Sequence, residues 1–213
     1  MNIETKDILR SFTVIKQMLA DRNLNIQNLK SYSDFELLEL SGPKNIPQAK
    51  NPGNIFQIKV NDNTKIIYHM KNKFIKQDIK KFFNFIGEEV SNDKSDTKVS
   101  MNLIFIFKEK INNNNEKNIR DLLSDGMTYE IFPIKNVLFN ITEHSFVPKH
   151  EILSIDEALQ VQTNYSITNK SQFPIILKTD PVAKYYAIKP GQLVKITRSS
   201  TSTGDNITYR YCV

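Results

Sequence analysis

The stretch "TDPVAKYYAIKPGQLVKITRSS", residues 179–200, constrains local structure more tightly than any other part of the chain. Asp180 before Pro181 is typical of a helix start, because the carboxylate accepts from free backbone N–H groups and proline at the first helical position gives up no useful donor. Pro190 and Gly191 predict a tight turn, and the alternation in "QLVKITR" predicts a strand. Because no nucleophile or metal ligand stands out, we interpret this stretch as a docking module rather than an active site.

The first 142 residues alternate between helix and strand patterns. Apolar residues from Ile8 to Leu19 recur at helical spacing, and "DFELLEL" is a second short helix or an extended segment. The segments "IFQIKV" and "KIIYHM" predict a hairpin, "NKFIKQDIKKFFNFIGEEV" a helix, and "VSMNLIFIF", "MTYEIFPI" and "NVLFNIT" strands. The segment "NNNNEKNIRDLLSDG" predicts a polar turn, a short helix and a stop at Gly126, with the asparagine run at 112–115 interpreted as part of a loop. This order predicts a small α/β domain with helices packed on a mixed sheet.

The character of the chain changes after residue 142. Ser154 followed by Glu157 is the pattern of a capping box that opens a helix. The segment "SQFPII" predicts a short β-like run, "SSTSTGDN" a loop and "ITYRYCV" a strand that must be paired or covered. Residues 143–213 are therefore predicted to form a separate small α+β domain with a mixed sheet, and the chain as a whole is predicted to be α+β.

Composition narrows the possible functions. The formal net charge is +6, which is compatible with a nucleic-acid neighbourhood. The chain has 24 lysines but only five arginines, and arginine is the usual residue for bidentate phosphate or guanine contacts. One cysteine, Cys212, excludes a disulfide within the chain, and neither a signal peptide nor a membrane span is evident.

Catalytic and metal-binding patterns are weak. The spacings of His69, His144, His150 and Cys212 match no compact zinc pattern, so no metal, cofactor or catalytic residue is predicted. A metal-dependent nuclease needs carboxylates and a lysine clustered on a sheet. The Asp-x-Lys and Glu-x-Lys matches fall instead on the N-terminal tail, a helix and a polar loop.

The blocks "FVPKHEILS", "SQFPII", "TDPVAKYYAIKPGQLVKITR" and "YRYCV", in this order, resemble the fifth subunit of eukaryotic-type DNA-directed RNA polymerase. The C-terminal part of that family corresponds to a small archaeal polymerase subunit. The resemblance is strong for about residues 143–213, whereas before them it rests on the opening helix "SFTVIKQMLADRNL" and the order of elements. It implies an N-terminal jaw domain, residues 1–142, with a restriction-endonuclease-like fold, and a C-terminal polymerase-assembly domain, residues 143–213.

The resemblance also implies a function in transcription. The chain would be a non-catalytic subunit that docks on the largest polymerase subunit and contacts other subunits, with its jaw domain near downstream DNA and no membrane involved. It would not be an enzyme by itself. The implied partner-binding residues are His144, Val147, Pro148, Lys149, His150, Asp180, Pro181, Val182, Tyr185, Gly191, Lys195, Arg198, Gly204, Tyr209 and Arg210.

Several positions depart from the family pattern. Ala187 stands where the family usually has glycine, Pro190 and Ile175 stand at usually basic positions, and the family's charges near 201–206 are missing or reversed. A partner that changed in step would explain this, as in a large DNA virus, and an A/T-rich protist is the alternative source. The corresponding locations are the virion and the host-cell transcription site, or the nucleus. Two other functions remain open: a stand-alone nucleic-acid-binding protein and, less favoured, a metal-dependent nuclease.

Overall fold

The chain divides into two units, residues 1–139 and 140–213. The computed structural model describes residues 3–30, 33, 36–37, 55–74, 78, 101–121, 123, 126–200 and 204–213. Both units combine helices with a four-stranded sheet, which confirms the predicted α+β class.

Unit 1 contains three described helices and four strands. The helices are α1 (Ile3–Asp21), α2 (Gln27–Lys30) and α3 (Asn113–Arg120). The strands are β1 (Ile55–Asn61), β2 (Thr64–His69), β3 (Met101–Phe107) and β4 (Met127–Pro133), in sheet order β1-β2-β3-β4. β1 and β2 form the predicted antiparallel hairpin, whereas β2, β3 and β4 run parallel, so the sheet is mixed as predicted.

Burial in unit 1 follows the sequence pattern. The predicted face of α1, Ile8 to Leu19, is buried, and β3 is apolar and buried along most of its length. The side chain of Tyr68 on β2 stacks on Phe56 with ring centroids 4.8 Å apart, and its hydroxyl lies 3.1 Å from Ser11 Oγ on α1. Arg22, which follows α1, donates two hydrogen bonds to the carboxylate of Glu130 on β4 at 2.8 and 2.9 Å. These contacts fix α1 against the sheet.

Unit 2 is built around a second mixed sheet. Its strands are β5 (Lys149–Ile152), β6 (Ile175–Ile176), β7 (Leu193–Ser200) and β8 (Gly204–Cys212), and its helices are α4 (Ile155–Asn164) and α5 (Pro181–Tyr185). The sheet order is β5-β7-β8-β6, with β8 antiparallel to β7 and parallel to β6. The strand predicted at "ITYRYCV" is therefore paired, as expected, and at its C-terminal end it has a neighbouring strand on each side.

Three local predictions were wrong. The segment "NVLFNIT" is not a strand, because it lies between and within two 3₁₀ turns, Ile134–Val137 and Ile141–Glu143. The asparagine run is not a loop: Asn112 caps α3 by accepting from the backbone N–H of Asn115, so most of the run is helical. The predicted loop "SSTSTGDN" is mostly strand, because β7 and β8 extend to Ser200 and back from Gly204.

Other predictions lie outside the described residues. They are "SGPKNIPQAKNPGN" at 41–54, whose prolines and glycines predict a loop, the greater part of "DFELLEL", and the polar loop "SNDKSDTK" at 91–98. The helix predicted for "NKFIKQDIKKFFNFIGEEV" also lies outside them beyond residue 74, apart from Asp78. Within the described ranges, no helix has both the length and the apolar character needed to cross a membrane.

Candidate docking surface

The stretch from residue 179 to residue 200 folds as its caps predict. Asp180 Oδ1 accepts hydrogen bonds from the backbone N–H groups of Val182 at 2.8 Å and Ala183 at 3.4 Å, and Pro181 occupies the first turn of α5. Gly191 has φ +96°, in the left-handed region that glycine tolerates best. Asp180, Pro181 and Gly191 thus set the position of α5 and the direction in which β7 begins.

Helix α5 packs on one face of the unit 2 sheet, here called the α5 face. Ala183 and, just after the helix, Ile188 form a buried cluster with strand residues Ile176, Val194, Ile196 and Cys212. Val194 and Ile196 share this face, as the alternation in the predicted strand "QLVKITR" requires. The single cysteine is a packed core residue, and burial raises the pKa of its thiol.

Strand register divides the predicted docking residues between the two faces of this sheet. Directly paired residues share a face. His150 pairs with Ile196 and Arg210 with Val194, which places both on the α5 face, and Arg198 shares that face by alternation along β7.

The polar groups of the α5 face lie close enough to influence one another. Burial lowers the pKa of His150, and the charges of Arg210 and Arg198 lower it further. The carbonyl of Pro148, 2.7 Å from His150 Nδ1, and the carboxylate of Asp180 act in the opposite direction. Residues from three separate sequence blocks therefore meet around His150, which is neutral near pH 7.

The opposite face carries a second polar group. Lys149 Nζ lies 2.6 Å from Glu151 Oε1, and Lys195 Nζ lies 3.6 Å from Glu151 Oε2. The hydrogen bond between Lys149 and Glu151 raises the pKa of the lysine and lowers that of the carboxylate. Tyr209 pairs with Lys195 across the strands, and its ring makes an edge contact with Tyr165. Lys149, Lys195 and Tyr209 are thus not beside the α5-face residues.

The remaining predicted residues have different surroundings. His144 is exposed, and its Nδ1 accepts from the backbone N–H of Phe146 at 3.3 Å. Val147, Pro148 and Val182 are half-buried, and Gly204 is exposed with φ +73°. Tyr185, the last residue of α5, is only 5% exposed, so it is a packed residue rather than a surface one, and its ring makes an edge contact with Tyr186.

Sequence reasoning missed two exposed apolar features. Phe146 is 90% exposed, between the predicted residues His144 and Val147. Helix α4 has no buried residue, and Ile155, 81% exposed, and Leu159 lie one helical turn apart on its surface. The predicted capping box of α4 is confirmed, with Ser154 and Glu157 each bonding the other's backbone N–H. The i, i+4 apolar spacing was the only available signal, and it is also the signal of a buried face.

Unit 1 carries a separate polar cleft of about 270 Å³ at the carboxyl ends of β2 and β3. Its lining residues are His69, Lys71, Asn72, Lys73, Phe74, Phe107, Glu109, Lys110, Ile111, Asn112 and Asn115. The buried carboxylate of Asp78 contacts Lys71 Nζ and lies 3.1 Å from His69 Nε2. Burial lowers the pKa of His69 and outweighs the opposing effect of Asp78, so the imidazole is neutral near pH 7.

Metal chemistry finds no support in the part of the chain that the structure describes. No three His, Cys, Asp or Glu side chains there are grouped as a metal ion would require.

Comparisons with known proteins identify the class as subunits of DNA-directed RNA polymerase. The family model described as "RNA polymerase Rpb5, C-terminal domain" matches residues 139–212. The Dictyostelium discoideum protein "DNA-directed RNA polymerases I, II, and III subunit rpabc1" is 46% identical over 87 residues, which are 41% of this chain and 44% of that protein. The Sulfolobus acidocaldarius protein "DNA-directed RNA polymerase subunit Rpo5" is 46% identical over 74 residues, which are 35% of this chain and 87% of that protein.

An Arabidopsis thaliana relative, "DNA-directed RNA polymerase subunit 5-like protein 1", is 42% identical over 91 residues, which are 43% of each chain. The match thus spans less than half the length of the Dictyostelium and Arabidopsis proteins but most of the archaeal one. The chain belongs to the family of the fifth subunit of DNA-directed RNA polymerase, as the sequence blocks predicted.

Proposed function

We propose that this chain is a non-catalytic subunit of a multi-subunit DNA-directed RNA polymerase and that unit 2 docks on the largest subunit. The matching family model, that of the C-terminal domain of the fifth subunit, covers residues 139–212, which is nearly all of unit 2. Nucleotidyl transfer would belong to the large subunits. The chain would act in the transcription machinery, which is nuclear in a cellular eukaryote, or in the virion and at the host-cell transcription site if its source is a virus.

The observation that carries the proposal is the meeting of separate sequence blocks on the α5 face. His150, Arg198 and Arg210 come from three strands, yet strand register places them on one face, and Asp180 of the α5 cap lies near enough to His150 to oppose the lowering of its pKa. These residues are at least partly exposed in the unit, and none is needed for the apolar cluster beneath α5. Such groups are available to a partner protein, and the Asp180 cap holds α5 among them.

The test removes the cap of α5. Replacing Asp180 and Pro181 together by alanine removes the side-chain acceptor and the residue that fixes the first turn. We expect it to cost about 1 kcal/mol of helix stability and to release the subunit from the largest subunit during purification of the polymerase. Asp180→Asn is the matched control, because asparagine still caps but carries no charge.

Three results are informative. If the Asp180→Asn chain stays bound to the polymerase and the double variant does not, the orientation of α5 matters for docking. If neither chain stays bound, the charge of Asp180 matters as well. Unchanged co-purification of the double variant would contradict the proposal. Because the double variant also weakens the fold, exposed Arg198→Glu is tested beside it, and thermal unfolding of each free chain shows which variants remain folded.

For unit 1 we propose the jaw role, close to downstream DNA. The cleft at the ends of β2 and β3 is lined by Lys71, Lys73, Lys110 and one carboxylate, Glu109, which lies 3.7 Å from Lys135 Nζ. Lys71 pairs with the buried carboxylate of Asp78, so Lys73 and Lys110 supply the positive charge of the cleft. Lys73 and Lys110 are exposed. A surface with this balance of charge favours the polyanionic phosphate backbone.

A further inference from the structure

One edge of strand β8 is open in the described structure. Strand β6 comprises only Ile175 and Ile176, and it pairs with β8 only at Tyr211 and Cys212. On its other side β8 pairs with β7 from Leu193 to Ser200. In the sheet order β8 lies between β7 and β6. Its part from Asp205 to Tyr209 nevertheless has only β7 beside it among the described residues.

Hydrogen bonds identify which backbone groups face the open edge. The N–H of Cys212 donates to Gln192 O at 2.9 Å, on the β7 side, whereas the N–H of Tyr211 donates to Pro174 O at 2.9 Å, on the β6 side. Because backbone groups alternate in direction along a strand, the N–H and C=O groups of Asp205, Ile207 and Tyr209 point to the same side as those of Tyr211. They form a row of three donors and three acceptors with no strand beside it among the described residues.

This edge lacks the usual protection against strand pairing. Natural edge strands are short, bulged, or interrupted by proline or lysine. The open part of β8, Asp205 to Tyr209, instead has no proline, lysine or register shift, and Ile207, Thr208 and Tyr209 have high strand propensity. Ile207 is 44% exposed, and the residues from Gly204 to Thr208 are all exposed in the unit. An open edge of this kind is a template for an added strand.

Charge beside the edge indicates the chemistry of the added strand. Arg210 is exposed on the α5 face of β8, next to the position that a side chain of an added strand would occupy. Arg198 lies on the same face one strand further in. On the opposite face the carboxylate of Asp205 already accepts a hydrogen bond from Ser199 Oγ. The charges that β7 and β8 place on the α5 face are therefore positive, with Asp180 of the α5 cap as the opposing carboxylate near His150.

We propose that the open edge of β8 binds an extended, acidic segment of another polymerase subunit as an added strand. The inference rests on the proposed function, since the segment belongs to the assembled polymerase. Backbone hydrogen bonds to Asp205, Ile207 and Tyr209 hold the segment, and acidic side chains on its α5 face pair with Arg210.

Residue-resolved amide hydrogen exchange tests the added strand, because the two sides of β8 respond differently. The full chain is compared free and within purified polymerase. The amides of Thr208 and Arg210 bond β7 and are protected in both states. The amides of Ile207 and Tyr209 exchange fast in the free chain and slow by at least about tenfold in the polymerase. A partner that contacts side chains alone would not produce this alternation.

A proline substitution tests the same edge independently. Ile207→Pro removes an N–H that points to the open edge and leaves the backbone hydrogen bonds to β7 in place. Edge strands accept proline at such positions. Ile207→Val is the control that keeps the donor. We expect both free chains to melt within a few degrees of the parent and only Ile207→Pro to be depleted from polymerase. Arg210→Glu should reduce incorporation more than Arg210→Gln does.

The outcomes separate the inference from the proposed function. Absence of the parent chain from polymerase would overturn the proposed function. A parent chain that is incorporated with fast exchange at Ile207 and Tyr209, or an Ile207→Pro chain incorporated like Ile207→Val, would overturn the added strand alone. Concentration-dependent protection of Ile207 and Tyr209 in the free chain would assign the edge to a second copy and also overturn it.

Discussion

Ala187 adopts a backbone conformation that suits glycine better than alanine. Its φ is +52°, and it follows α5 at the point where the chain reverses toward the Pro190–Gly191 turn. An L-residue in the left-handed region costs about 1–2 kcal/mol relative to glycine. The family resemblance had marked this same position, because glycine is usual there.

Replacing Ala187 by glycine should therefore stabilise unit 2. The relief of backbone strain exceeds the added entropy of glycine in the unfolded chain, which is about 0.5–1 kcal/mol, so we expect a net gain of about 0.5–1 kcal/mol. Chemical denaturation of the full chain, followed by a probe in unit 2, measures the change. Ala158→Gly, inside helix α4, is the control and should cost about 1 kcal/mol; an equal loss in both variants would refute the strain at Ala187.

Helix α1 and strand β4 are joined by the bidentate ion pair of Arg22 and Glu130. The Arg22 side chain is 8% exposed and the Glu130 side chain 32%, so the pair is partly shielded from water. Arg22→Lys keeps the charge but loses the planar fork, and we expect it to destabilise unit 1 by about 1–3 kcal/mol.

A double-mutant cycle with Glu130→Gln measures the coupling in that pair. Chemical denaturation of the four chains gives the free energies of unfolding of unit 1. If Arg22→Lys costs as much in the Glu130→Gln background as in the parent, the ion pair does not join α1 to β4 energetically. Thr13→Ala, at an exposed position of α1, serves as a control for changes in the helix itself.

Elements with strong local signals could be predicted from the sequence. The apolar face of α1, the β1–β2 hairpin, the Asp180 cap and the Ser154–Glu157 capping box all depend on residues close together in the chain. The errors arose where signals compete. The segment "NVLFNIT" has strand-like residues, but Asn140 accepts from the N–H of Thr142 and turns the chain instead. Asn112 likewise accepts from a backbone N–H and caps α3, so the asparagine run, whose composition is typical of a loop, is mostly helical.

The candidate site was predictable in its parts but not in its arrangement. Alternation along β7 showed that Val194 and Lys195 face opposite ways, but not which residue of β5 or β8 lies beside each. That depends on strand register, which the pairing of distant segments decides. The sequence therefore did not reveal that His150 lies on the same sheet face as Arg198 and Arg210. Nor did it reveal that Lys149 and Lys195 lie together on the opposite face. It also did not reveal that the apolar residues of α4 remain exposed.

The affinity of the assembled polymerase for its DNA template tests the jaw role of unit 1. Lys73→Glu with Lys110→Glu reverses both exposed lysines of the cleft, so the assembled polymerase should hold downstream DNA less tightly. The slope of log affinity against log salt should become shallower by about 1–2, since each phosphate contact contributes about 0.9. Filter binding or fluorescence polarisation over a salt series measures the slope.

Lys6→Glu with Arg10→Glu, both at exposed positions of α1, is the matched control for net charge. If the two cleft substitutions change the slope no more than the two control substitutions on α1 do, the cleft does not contact DNA. If the free chain alone binds DNA with the same salt dependence as the polymerase, the stand-alone nucleic-acid-binding alternative gains support.

The strand order of unit 2 has a consequence for how the chain is made. β8 is the latest of the four strands to leave the ribosome, yet it lies between β7 and β6, and β6 pairs with no other described strand. Until β8 emerges, β6 has nothing to pair with, and the apolar cluster beneath α5 lacks Cys212. Unit 2 therefore completes its fold in one late step, whereas β1 and β2 of unit 1 can pair during synthesis as a local hairpin.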